Sequence, residues 1–172
     1  MKYMSPNENI NKPLRHICSP ESLINIIRTG IFAPTFTGDY GADSGLNCFS
    51  EETGFISQSF WGQGAVLHLD WKGKVKFVDD TFPLPYPKNE LLVFKGWRAF
   101  IPIRSKPELT RITGFEIYDQ RKLKNIFEEK GYFLSKIPLL REKKYSNWYN
   151  KLYETLETQV NSSRELIINR EK

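Results

Sequence analysis

The tightest local constraint in the chain is the run from Leu14 to Phe32, which carries its own start and stop signals. LRHIC reads as a short strand. Ser19 then offers a side-chain oxygen to helical amides that lack a partner, Pro20 supplies the φ of a first helical turn, and Glu21 lies near the positive end of the helix. Leu23, Ile26 and Ile27 share one helical face, and Gly30 provides the stop. A strand, a ten-residue helix and a buried helix face are thus expected in that order.

The next eighty residues are punctuated as β structure. TFTGDYGADSG is a loop, because Gly, Asp, Ser and Thr tolerate unusual backbone angles or bond their own main chain. LNCFS reads as a strand, and ETGFISQSFWGQG has room for a short helix. AVLHLDW alternates and ends at a Lys-Gly turn, so VKFVDD is expected to fold back on it as a hairpin. The prolines of FPLPYPK exclude a central strand, since each lacks a ladder donor. NELLVF, WRAFIPI and ITGFEIYD are further strands, the last with the alternation of a sheet wet on one face. QRKLKNIFEEKGY reads as a helix ending near Gly131, and a longer helix should run from about Asn147 through Val160.

The pattern is that of an α+β domain. Residues 1–13, with Pro6 and Pro13, read as an arm, and residues 14–172 as a single domain, since 172 residues suit one core. Aromatic residues make up 14% of the chain, enough large apolar surface to reject disorder for its bulk. No run approaches the roughly 18 apolar residues of a membrane span, and MKYMSPNENINKPLRH has no signal-peptide core, so a cytoplasmic protein without membrane contact is expected. Cys18 and Cys48 are the only cysteines and there are two histidines, too few for a disulfide framework or a convincing zinc site. The net charge of +5 favours acidic partners such as nucleic acid or a dinucleotide pyrophosphate. Much of the excess lies in Lys122, Lys124, Arg141, Lys143, Lys144 and Lys151, where helical periodicity would equally make a solvated face.

HICSPESLINIIRTGIF resembles the opening of several ADP-ribosyltransferase families, including DNA-modifying bacterial toxins and RNA 2'-phosphotransferases, which show a strand with His, a Ser or Thr, and a helix ending in Gly. The matching positions are His16, Ser19, Leu23, Ile27, Gly30 and Ile31. The resemblance implies an antiparallel split β-sheet core with flanking helices and a C-terminal helix. It also implies NAD as substrate and a nucleic-acid or protein acceptor, in a toxin or an effector of phage conflict. His16 would hold the NAD ribose or phosphate, because an imidazole can donate to a hydroxyl without a fixed charge. NCFSEE is similar to the second-strand hydroxyl position, which falls on Ser50. KNELLVFKGWRAF is similar to the strand bearing the catalytic acid, which falls on Glu90. Tyr40, Phe60 and Trp61 would stack on nicotinamide or adenine. A carboxylate gripping the ribose 2'-hydroxyl would stabilise positive charge developing at C1' as nicotinamide leaves.

Each residue also has a plain structural role. His16 can bond a backbone carbonyl at a strand end, Ser50 can cap a following helix, and Glu90 can open an exposed edge strand. A second reading is a non-enzymatic module that keeps the sheet and binds nucleic acid or a partner protein through its basic surface. A third, a metal-dependent hydrolase, would draw on Asp39, Asp43, Asp79 and Asp80.

Overall fold

The computed structural model describes residues 14–33, 45–50, 63–78, 89–94, 98–103, 105–130 and 138–168. β1 (Leu14–Cys18) leads into α1 (Pro20–Thr29) as the cap signals require. Ser19 Oγ accepts from Ser22 N at 3.1 Å, and Gly30, at φ 71°, donates its N–H to Ile26 O at 2.7 Å. The face that α1 buries is Leu23, Ile24, Ile26 and Ile27. Removing a side chain of this size from water contributes ~1.5–3 kcal/mol, so this face fixes the helix against the sheet.

β2 (Ile31–Phe32), β3 (Gly45–Ser50), β4 (Ala65–Trp71), β5 (Lys74–Val78), β6 (Glu90–Phe94), β7 (Arg98–Pro102) and β8 (Thr110–Ile117) follow. Then come α2 (Gln120–Glu129), α3 (Pro138–Asn161) and β9 (Ile167–Ile168). Seven strands form one sheet in the order β5-β6-β7-β3-β1-β4-β8, while β2 and β9 pair separately. The expected antiparallel sheet is in fact mixed: β5 and β6 run parallel, and the other neighbours are antiparallel.

The expected hairpin between AVLHLDW and VKFVDD does not form. β4 pairs with β1 and β8, and β5 pairs with β6. The reason lies at Trp71, whose buried indole donates Nε1–H to Lys74 O at 3.0 Å, so the chain wraps the ring instead of folding back along β4. Gly73 fits this turn because a Cβ there would stand 2.6 Å from Trp71 Cζ2 and 3.1 Å from Asn89 O.

That link also shapes the sheet. β5 and β4 stand first and sixth in the strand order, which on a flat sheet would separate them by about 24 Å. Three Cα steps from Trp71 to Lys74 span at most about 11 Å, so the sheet must curl until its ends approach. The shortest ladders are β1–β3 and β6–β7, each of two pairs among the described residues. One connected core fills the face bearing Leu14, Cys18, Leu46, Leu67, Leu69, Ala99 and Ile101, against which α1, α2 and α3 bury Leu23, Ile27, Leu123, Leu152 and Leu156.

α2 begins where Asp119 accepts from Arg121 N and Lys122 N, both at 3.0 Å, and ends at Glu129, two residues before the expected stop. α3 starts at Pro138 rather than near Asn147, and its buried residues Leu152, Leu156 and Val160 all lie in its second half. Its early turns escape detection by periodicity because they expose Leu139 and Leu140. They are joined to α2 instead by ion pairs from Arg141 to Glu128 and from Glu142 to Lys124, and by the Tyr145 and Trp148 rings against Phe127. No described helix is long and apolar enough to cross a membrane.

Candidate functional site

The site begins where the sheet is weakest. The β1–β3 ladder consists of Leu14↔Ser50 and Arg15↔Phe49, then stops, although β1 continues to pair with β4 as far as Cys18↔Ala65. In the gap a side chain bridges the two strands: His16 Nδ1–H donates to Asn47 O at 2.8 Å. Phe32 stands edge-on to the imidazole, with centroids 5.1 Å apart and planes at 75°.

His16 is closely surrounded, and this burial lowers its pKa from the ordinary histidine value despite the opposing pull of the Asn47 carbonyl. The residue nevertheless keeps some solvent contact, on the sheet face of Leu14 and Cys18 that the core and Phe32 cover. Near neutral pH it is therefore the neutral Nδ1–H tautomer, whose Nε2 lone pair is an acceptor. This changes the sequence-based expectation that His16 donates to a ribose hydroxyl. With Nδ1–H spent on Asn47, the other ring nitrogen, which bonds none of the described residues, can only accept.

Ser50 closes β3 at the register position opposite Leu14, two residues from the row of His16. Glu90 opens β6 and is not brought to His16. β3 and β7 lie between their strands, roughly 14 Å across the sheet at ordinary spacing. Strand alternation then separates them further. Leu14 pairs with Ser50, Cys48 with Ala99 and Ala99 with Val93, so Val93 and Leu91 share the face of His16 while Glu90 and Leu92 take the other. Among the described residues no strand position on the face of His16 is an acid. Tyr40, Phe60 and Trp61 lie outside the described residues, as do Asp39, Asp43, Asp79 and Asp80.

Two features had no local signal in the sequence. One is Phe32, brought to His16 by the short β2 after α1. The other is a polar cluster on the opposite sheet face, where His68 on β4 donates from Nε2 to Glu116 Oε1 of β8 at 2.8 Å and the Tyr118 hydroxyl donates to the same carboxylate. The Tyr118 hydroxyl, then the His68 bond and charge and the charge of Arg15, hold the Glu116 carboxyl below its usual range. Burial and that carboxylate push Tyr118 up to about 12. Arg15, directly across from His68 in the ladder, is thus on the face away from His16, as alternation requires.

Neither thiol is a nucleophile at neutral pH. Burial pushes Cys18 up to about 12 and raises Cys48 further, and both are free and buried. Among the described residues no group of three or more His, Cys, Asp or Glu could hold a metal ion. Of the six late cations, Lys122 approaches Asp119 at 3.9 Å, Lys124 pairs with Glu142 at 2.9 Å, and Arg141 pairs with Glu128. Half of the supposed basic surface is therefore engaged with acids of its own helices. Comparison with protein-family models, with curated proteins and with solved structures gives no match.

Proposed function

We propose that this chain is an ADP-ribosyltransferase-like domain that takes NAD as its substrate beside His16. The observation that carries this reading is a neutral imidazole standing where β1 and β3 part, its Nδ1–H fixed on Asn47 O and its Nε2 left as an acceptor. A ribose hydroxyl both donates and accepts, so it can give its proton to Nε2 without a fixed charge at the sugar. Phe32 supplies an apolar surface next to the imidazole.

In the transfer, the bond from C1' to the nicotinamide nitrogen breaks with its electron pair on the departing nicotinamide. The acceptor's nucleophilic atom then bonds C1' and gives up its proton. Positive charge develops on the sugar between these events, and a carboxylate must face it. Glu90 is on the wrong sheet face for a sugar held at His16. The acids that flank β3 in sequence are Asp43 before it and Glu51 and Glu52 after it.

The test is incubation with labelled NAD and nucleic acid or lysate, comparing wild type with His16→Ala, Glu90→Gln, Asp43→Asn and a Glu51→Gln/Glu52→Gln pair. Label transfer at NAD well below saturation should fall about tenfold in His16→Ala, fall about 100-fold or more in the glutamine pair or in Asp43→Asn, and stay unchanged in Glu90→Gln. Transfer at sub-saturating NAD that is unchanged in His16→Ala would contradict the reading. The lack of an acid on the described face of His16 favours a second reading, a domain that binds without catalysis. It expects NAD to bind and no variant, wild type included, to release nicotinamide.

A further inference from the structure

Phe32, the ring that stands on His16, packs against the core, but its strand is too short to fix its backbone. β2 is two residues long, and its ladder is the parallel pair Ile31↔Ile167 and Phe32↔Ile168 with β9. Two residues on two strands are far too few to stand alone in water. The anchoring comes from the segment just before β9. Arg164 donates from Nη2 to Arg28 O at 2.7 Å, filling a carbonyl in the last turn of α1 that the helix itself cannot satisfy. Ile167 N donates to Gly30 O at 2.8 Å, Leu166 N to Thr110 O at 3.0 Å, and Ile112 N to Arg164 O at 2.9 Å. Arg111 and Glu165 form an antiparallel bridge, and Leu166 and Ile168 are buried in the core. Residues 164–168 therefore tie the outer edge of β8 to the C-terminus of α1, and through it to β2.

We infer that residues 164–168 are a strap that sets the position of Phe32 over His16, with Arg164 as the positioning residue. The ring contact on His16 is then set from the C-terminal segment. Release of the strap leaves β2 without a ladder partner among the described residues and takes the aromatic wall from the imidazole. The consequence for ligand affinity rests on the proposal that NAD enters at His16; the mechanical coupling does not.

The coupling is read without ligand from the imidazole proton resonances in NMR spectra, where two histidines give separable signals and His68 is an internal reference. Phe32→Leu removes the ring and defines the shift that His16 shows when it loses Phe32. Arg164→Ala should move the His16 resonances in the same direction, leave those of His68 in place, and be reversed by Arg164→Lys, which restores a donor to Arg28 O. Ile167→Pro deletes the N–H that bonds Gly30 O while altering a side chain that is 44% exposed, and should give the same shift; it decides the matter if Arg164→Ala fails to fold. Variants that lower the melting temperature yet leave His16 at its wild-type position overturn the strap. In a parallel titration Arg164→Ala should weaken NAD binding roughly 2–10-fold, the worth of one aromatic contact. If the resonances move but wild type binds no NAD, only the NAD proposal fails. If NAD binding depends on His16 but the resonances stay still, only the strap fails.

Discussion

Gly30→Ala probes the junction of α1, β2 and the C-terminal segment. Gly30 has φ 71°, a left-handed conformation that costs a residue with a Cβ about 1–2 kcal/mol. The added methyl would lie 3.1 Å from Arg164 Nε and 3.2 Å from Glu165 O. The arginine side chain can move, but the carbonyl belongs to backbone bridged to β8, so crowding adds to the conformational cost. A total near 2 kcal/mol corresponds to a fall of about 4–8 °C in melting temperature for a chain of this length. Gly114→Ala is the matched control. Its Cβ would meet only His68 atoms, at 3.5–3.8 Å, in ordinary contact and without positive φ. That alanine should be neutral or stabilise by up to about 0.5 kcal/mol. Thermal and urea denaturation of both variants test the argument. A Gly30→Ala protein within about 0.5 kcal/mol of wild type, or an equal loss in Gly114→Ala, would refute it.

Acid should act on this fold in two steps. The folded pKa of His16 is lowered from an ordinary value of about 6.5, so the unfolded chain takes up this proton first. The contribution of His16 is complete above about pH 6.5 and declines as pH falls from there toward the folded value; urea midpoints measured from pH 7 downward should lose this segment in His16→Gln. Glu116 has the opposite character, with a carboxyl held low. Its contribution is present above its unfolded value of about 4.3 and disappears as pH falls through the folded one, a segment that Glu116→Gln should remove. Ser19→Ala deletes the acceptor for Ser22 N and should cost about 1 kcal/mol in the same urea assay. Cys18 and Cys48 should react slowly with a disulfide reagent in the native protein and fast once unfolded; a rapid native reaction at either thiol would contradict their burial.

What the sequence made legible was local. Ser19, Pro20 and Gly30 delimit α1 to the residue, because each acts on the backbone next to it. β1, β3, β4, β6, β7 and β8 fall where the alternation places them. The hairpin after Trp71 failed because the indole bonds Lys74 O and turns the chain, a long-range consequence of burying one ring. The early turns of α3 carry no buried stripe, and the ion pairs from Arg141 and Glu142 to α2 have no periodic signature of their own. The pairing of His16 with Glu90 was beyond local reading for another reason. Each stands on a correctly read strand, but whether they meet depends on strand order and on the parity of three successive registers. Those registers put them on opposite faces. Phe32 reached His16 by the same kind of non-local route, through a strand pair that closes only when residues 167–168 return to residues 31–32.

The central claim is that a neutral His16 is the contact for a ribose hydroxyl, and calorimetric titration of NAD into wild type and His16→Ala at pH 7.5 tests it most directly. One such hydrogen bond is worth ~0.5–1.5 kcal/mol, so the alanine variant should bind up to about tenfold more weakly while keeping its fold by circular dichroism. Equal affinity in the two proteins, or no binding to wild type, would contradict the account.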